Sequence, residues 1–174
     1  MFFPILFIAV GSNSAYVSKG CIESEFCIPG FYSASALNGA NFLSNLECCD
    51  SDLCNRRNIS LPRLRNSIPN GLQCPACFTF SSDNCNPTDT VACLGLETQC
   101  FYFGATVTFA PVVEQLVDSV VSMAVRGCGT ADICAYKPGN LEMDADLIHI
   151  NITHAECQIA RTNVLEATIP NDYP

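Results

Sequence analysis

Thirteen cysteines fall into two groups: Cys21, Cys27, Cys48, Cys49 and Cys54, then Cys74, Cys77, Cys85, Cys93, Cys100, Cys128, Cys134 and Cys157. Thiols in such number either oxidise to disulfides or hold a soft metal. Cys74-Pro75-Ala76-Cys77 has the C-x-x-C spacing of a redox dithiol or of half a zinc site. A redox dithiol needs a low-pKa thiolate at a helix start, and the following FTFSSD does not read as a helix. Zinc needs a second ligand pair at finger spacing. The only histidines, His149 and His154, do not supply one. On a regular strand an odd separation sends them to opposite faces, His149 with Asn151 and Thr153, His154 with Ile148, Ile150 and Ile152. Glu142, Asp144 and Asp146 alternate and would put three carboxylates on one strand face. A calcium loop of the EF-hand kind wants a longer ligand list and a glycine turn, so these read as an exposed acidic finger surface. No nucleophile elbow, phosphate loop, H-E-x-x-H or dinucleotide fingerprint occurs. The chain therefore reads as a non-enzyme with no cofactor and no metal, its cysteines structural.

Composition narrows the class further. The chain has 174 residues, no Trp, 14% charged residues and a formal charge of −9. So many thiols would stay reduced in the cytosol, which points to an extracellular, disulfide-stapled protein. Eight scattered basic residues make no basic stripe, so nucleic acid is not a partner. Residues 1–15 open with the apolar run MFFPILFIAV. That is signal-peptide length and too short to span a bilayer, but no basic residue precedes Lys19. The run reads either as a signal segment or as the start of a buried strand. The tail 161–174 has no hydrophobic stretch, so no lipid-anchor signal and no membrane span are expected. Two sequons occur, at Asn58 and Asn151; Asn86 is excluded by Pro87.

The elements that must hold the cysteines are mainly β. GLQCPACFTF, TQCFYFGATVTF and DADLIHINITHAEC are rich in β-branched and aromatic residues and bounded by turn formers. In APVVEQLVDSVVSMAV the apolar residues recur at helical spacing. It reads as a short helix near 112–120 running into a strand near Met123–Cys128. Phe101, Tyr102, Phe103 and Phe109 flank the central strand of the second group, and one alternating set would form an exposed apolar partner surface. The apolar face of 112–124 is the other candidate surface. Between the cysteine groups, RRNISLPRLRNSIPNG (56–71) carries two prolines and four basic residues and reads as a linker, set at 58–71. Lys19-Gly20-Cys21 with Cys27, and Arg126-Gly127-Cys128 with Cys134, share one spacing, the mark of a duplicated module.

These motifs together resemble a known family. CCDSDLCN (48–55) is similar to the C-C-x4-C-N ending of the lymphocyte-antigen-6/urokinase-receptor domain, a small disulfide-rich three-finger fold. LQCPACFTFSSDNC resembles that domain's opening. The combination is most similar to the two-domain, secreted phospholipase A2 inhibitors of the gamma type. The resemblance implies an incomplete first domain at 16–57 and a second at 72–160. It implies the pairs Cys27–Cys48, Cys49–Cys54, Cys74–Cys100, Cys77–Cys85, Cys93–Cys128 and Cys134–Cys157. Cys21 matches a family cysteine whose partner would lie upstream, so it is expected to be unpaired and available to join two copies. The resemblance further implies a protein partner, either a secreted phospholipase A2 or, in a receptor-like or adhesion role, a cell-surface or extracellular protein.

Overall fold

The computed structural model describes residues 2–9, 18–21, 24, 27–39, 41–56, 68–109, 119–143 and 148–162. Ten strands dominate it: β1 Phe2–Ala9, β2 Ser18–Cys21, β3 Gly30–Ser35, β4 Asn41–Leu46, β5 Pro69–Thr79, β6 Asp89–Leu94, β7 Gln99–Phe109, β8 Ser119–Gly129, β9 Gly139–Met143 and β10 Ile148–Ile159. The mainly-β, disulfide-rich expectation holds. Helical structure among the described residues is confined to short 3-10 turns such as Ala131–Ala135, and no helix is long and apolar enough to cross a membrane.

The sheet runs β2-β1-β4-β3-β8-β7-β10-β9, with β5 alongside β8 and paired to β6. Every pairing is antiparallel. The long central pair is β7–β8, in register from Gln99↔Gly129 to Phe109↔Ser119. The far edge of β8 is divided: β5 takes Ala124–Arg126, and β3, from the N-terminal part, takes Cys128 and Gly129. The two cysteine groups thus share one sheet.

Strand β8 begins at Ser119, four residues before the expected start at Met123. Val120, Val121 and Ala124 belong to a strand, which corrects the end of the helical reading; residues 111–118 lie outside the described ones. A run of β-branched residues opposite β7 gains cross-strand packing that outweighs its helical periodicity. Phe2–Ala9 forms β1, hydrogen-bonded between β2 and β4.

One cluster of the core is built around disulfide sulfur. Cys74, Cys93, Cys100 and Cys128 are buried together with Ala160, and Leu72 and Val91 pack around them. Their bonds, Cys74–Cys100 and Cys93–Cys128, lie side by side, with Cys74 Sγ 3.6 Å from Cys93 Sγ. Fingers bury too little apolar surface to hold themselves together. Each of these bonds closes a loop long enough to contribute about 3–4 kcal/mol in the chain-entropy account.

Candidate functional site

All twelve cysteines with an implied partner are bonded. The remaining bonds are Cys27–Cys48, Cys49–Cys54, Cys77–Cys85 and Cys134–Cys157. Cys74 and Cys77 bond to Cys100 and Cys85, not to each other, so the C-x-x-C is no redox dithiol here. Cys74, Cys93 and Cys128 bring their sulfurs within 4.8 Å of one another. A metal ligand must be a thiolate, and these three sulfurs are oxidised. The backbone of Cys21 lies in β2 opposite Phe2; its side chain is outside the described residues, as are Asn58, Asp144 and Asp146.

The register sorts side chains into two faces, because directly opposed residues of an antiparallel pair share a face. One face is apolar. It carries Phe78 opposite Val125, Val125 opposite Phe103, Val107 opposite Val121, and Ile150 between Val107 and Leu141. The other is polar, with Thr106 and Ser122 hydrogen-bonded at 3.3 Å and Tyr102 opposite Arg126.

The expected aromatic surface divides accordingly. Phe101 and Tyr102 are buried, at 7% and 6% exposure, which corrects the reading of either as part of a partner surface. Both faces of β7 are covered at its base. Above Phe101 sits Ile133 of the 131–135 turn, since a Cβ on Gly129 would touch both. On the other side, the Arg126 guanidinium lies 3.7 Å from the centre of the Tyr102 ring. His154 stacks on that ring with 4.9 Å between centres, and the Tyr102 hydroxyl donates to Asn84 Oδ1 at 2.8 Å. Strand alternation identifies two faces but not what packs on each. Phe103 is half-buried, and only Phe109 of the four remains open.

A different aromatic pair is exposed. Phe78 and Phe80 meet edge to face with ring centres 4.6 Å apart and are 39% and 63% exposed. Phe78 joins the apolar face through Val125. Val121 and Phe109 continue that face roughly 20 Å toward the finger ends, and both are exposed. The alternation in Cys77-Phe78-Thr79-Phe80 was a legible signal for this pair. Elsewhere the same face is closed: Cys27 and Cys48 of the N-terminal part, together with Ile150, pack against Leu141.

The histidines depart from the expectation of opposite faces. The β10–β7 register slips between Ile152 and His154, a bulge at Thr153 whose extra residue inverts the alternation. His149 pairs with Thr108 and His154 with Gly104, so both lie on the polar face, four residues of β7 or about 13 Å apart. They remain too distant to share an ion. The bulge also leaves Thr153 Oγ1 buried without a hydrogen-bond partner. Glu142 lies opposite His149 in register. Asn151 is exposed on the same polar face.

The seam between the two parts rests on residues the sequence did not single out. Glu97 is 1% exposed. Its Oε1 accepts from the Ser33 hydroxyl at 2.6 Å and the Ser35 hydroxyl at 3.0 Å, and its Oε2 accepts from the Leu94 N–H at 2.9 Å. Two serine hydroxyls and a backbone N–H thus converge on this buried side chain. Beside it, the Ser33 N–H donates to Thr130 Oγ1, the Thr130 N–H to the Ser33 carbonyl, and the Thr130 hydroxyl to the Phe31 carbonyl. The Phe31 N–H donates to Asp132 Oδ2 at 3.2 Å.

Tyr32 and Tyr136 face each other across this seam, 5.8 Å between ring centres. Burial pushes the Tyr136 hydroxyl above its ordinary pKa. Burial, reinforced by Tyr136, pushes Tyr32 far higher. Both pKa values are raised on folding, so this contribution to stability is complete below about pH 10, where the unfolded chain also keeps its tyrosines neutral. It is lost as pH rises beyond that. Of the five tyrosines, Tyr32 is expected to form tyrosinate only as the chain unfolds, and Tyr136 to ionise above the ordinary tyrosine range. Ultraviolet difference titration checks this, and full ionisation of all five in the folded protein near pH 10–11 would contradict it.

A family model of the u-PAR/Ly-6 domain matches residues 5–57 and 70–164. A gamma-type phospholipase A2 inhibitor of Elaphe climacophora is 28% identical over 121 residues, covering 68% of this chain and 55% of that protein. Its namesake in Laticauda semifasciata is 29% identical over 122 residues, 69% of this chain and 61% of its own. Protein RoBo-1 of Rattus norvegicus is 27% identical over 140 residues, 78% of this chain and 53% of that protein. The chain thus spans somewhat over half the length of these relatives. No solved structure matches it. With both cysteine groups inside the matched segments, the chain belongs to the u-PAR/Ly-6 domain family.

Proposed function

We propose that this chain is a secreted, non-catalytic binding protein that captures a secreted phospholipase A2 and blocks it sterically. The observation that carries this reading is its similarity to phospholipase A2 inhibitors of several snakes, 27–29% identical over 120–122 residues. The net charge of −9 suits a basic enzyme, since complementary potentials raise association rates. The contact surface is the open part of the apolar face: Phe78 and Phe80, continued by Val121 and Phe109. Aromatic anchors of this kind carry most of the binding energy in protein interfaces. A glycan on Asn151 stands on the opposite, polar face and leaves that surface clear. Cys21, the one cysteine outside the six bonds, joins two copies when oxidised.

Hydrolysis of phospholipid vesicles by a basic secreted phospholipase A2 tests the reading. Micromolar protein is expected to suppress hydrolysis. The double variant Phe78→Asp/Phe80→Asp, with its disulfides intact by peptide mapping, is expected to bind at least about 30-fold more weakly. Unchanged hydrolysis at micromolar protein rejects the inhibitor reading. The similarity to RoBo-1 over 78% of the chain supports the second reading, a receptor-like or adhesion module. Binding to a cell-surface or extracellular protein without effect on hydrolysis would assign it.

A further inference from the structure

We propose that the Cys134–Cys157 bond is a reduction site for dithiols, and that opening it releases the seam between the N-terminal and C-terminal parts. The site is set apart by exposure. Cys157 is exposed and Cys134 half-buried, whereas Cys74, Cys93 and Cys128 are fully buried and Cys77 and Cys100 nearly so. The bonded cysteines Cys27, Cys48, Cys49, Cys54 and Cys85 are half-buried like Cys134, so it is the exposed Cys157 that distinguishes this bond. A small crevice lined by Phe103, Ile133, Tyr136 and Ala155 also borders Cys134 and Cys157. Exposed disulfides are the ones that exchange.

The consequence follows from what the bond holds. Cys134 lies in the 131–135 turn and Cys157 in β10. The same turn and its flanks supply Thr130, Asp132 and Tyr136, which meet Phe31, Tyr32 and Ser33 of β3. The bond ties this contact to the sheet covalently, and without it the segment between Gly129 and Gly139 keeps only its chain ends and non-covalent contacts.

The chemistry balances with a dithiol as reductant. One of its thiolates attacks Cys157 Sγ, forming a mixed disulfide, and Cys134 leaves as a thiolate that takes up a proton. The second thiolate of the reductant attacks the mixed disulfide and releases Cys157. Two electrons pass to the protein, and the reductant ends as a disulfide.

Graded dithiothreitol followed by alkylation and peptide mapping tests this on the full chain, with an unreduced control to mark any thiol already free. Cys134 and Cys157 are expected to be labelled at a reductant concentration about ten-fold below that which labels Cys74, Cys93, Cys100 and Cys128. At that point amide exchange at Phe31, Ser33 and Thr130 should quicken by about ten-fold or more while that of Cys100 and Phe101 holds. Earlier labelling of another bonded pair overturns the proposal. So does an opened Cys134–Cys157 bond with unchanged exchange at Phe31, Ser33 and Thr130. The variant Cys134→Ser/Cys157→Ser is expected to show the same fast exchange without reductant, and slow exchange in a folded variant would overturn the mechanism. If the variant does not fold, the titration of the native chain decides.

Discussion

Replacing Glu97 by alanine is expected to destabilise the protein by about 3 kcal/mol, because it strands two buried hydroxyls and a part-buried N–H at once. The Ser33 hydroxyl, the Ser35 hydroxyl and the Leu94 N–H all point at its carboxylate. Two of the three belong to the other cysteine group, 62 and 64 residues away in sequence, so the loss falls on the seam. For a chain of this size about 3 kcal/mol corresponds to roughly 6–12 °C in melting midpoint. Glu97→Gln is expected to cost less, since one oxygen still accepts, but the amide brings a donor into a site that already holds donors. The decisive comparison is a mutant cycle with Ser33→Ala/Ser35→Ala. Once Glu97 is gone, removing the serine hydroxyls should cost little, giving a coupling of about 1–3 kcal/mol. Additive losses would mean that Glu97 acts within its own loop and does not join the two parts.

The second large effect is expected at Gly127. A Cβ there would stand 2.1 Å from the Ser35 carbonyl oxygen, a contact with backbone that no rotamer change relieves. Gly127→Ala must therefore push β3 away from β8, at a cost of about 3 kcal/mol, the upper part of the usual overpacking range. Gly104→Ala makes the same collision elsewhere, 2.1 Å from the Asp83 carbonyl oxygen, inside the C-terminal part alone. The two variants should lose similar stability but differ in where they loosen. Native-state hydrogen exchange is expected to quicken at Ser33 and Thr130 in Gly127→Ala. In Gly104→Ala it should quicken around Asn84 and leave Ser33 and Thr130 protected. The opposite pattern, or an alanine tolerated at Gly127, would show that the close approach of β3 and β8 is not required.

Gly127 also explains part of a motif that the sequence displays openly. In Arg126-Gly127-Cys128 each residue has a separate task. Arg126 covers Tyr102, Gly127 admits the Ser35 carbonyl, and Cys128 bonds to Cys93 in the sulfur core. The motif was legible as a repeated spacing, but all three of its tasks involve residues far away in sequence.

Much of the fold was written in residue types and local order. A high cysteine load on a chain poor in charge calls for an oxidised, disulfide-held protein, because fingers cannot bury enough apolar surface without bridges. Alternating β-branched and aromatic runs form strands wherever they find cross-strand partners. What the sequence could not reveal depends on partners brought together by topology. Phe101 and Tyr102 look like any exposed alternating pair until Ile133 closes one face and the Asn84 loop with Arg126 the other. His149 and His154 change faces relative to each other because a single bulge at Thr153 shifts the count by one. Glu97 gives no local sign of its role, since its partners Ser33 and Ser35 reach it only through the pairing of β3 with β8. Composition and alternation set the chemistry and the elements of this chain. Which apolar face stays open, and how its two cysteine groups become one sheet, were decided only by contacts between residues tens of positions apart, whose proximity is a property of the folded whole.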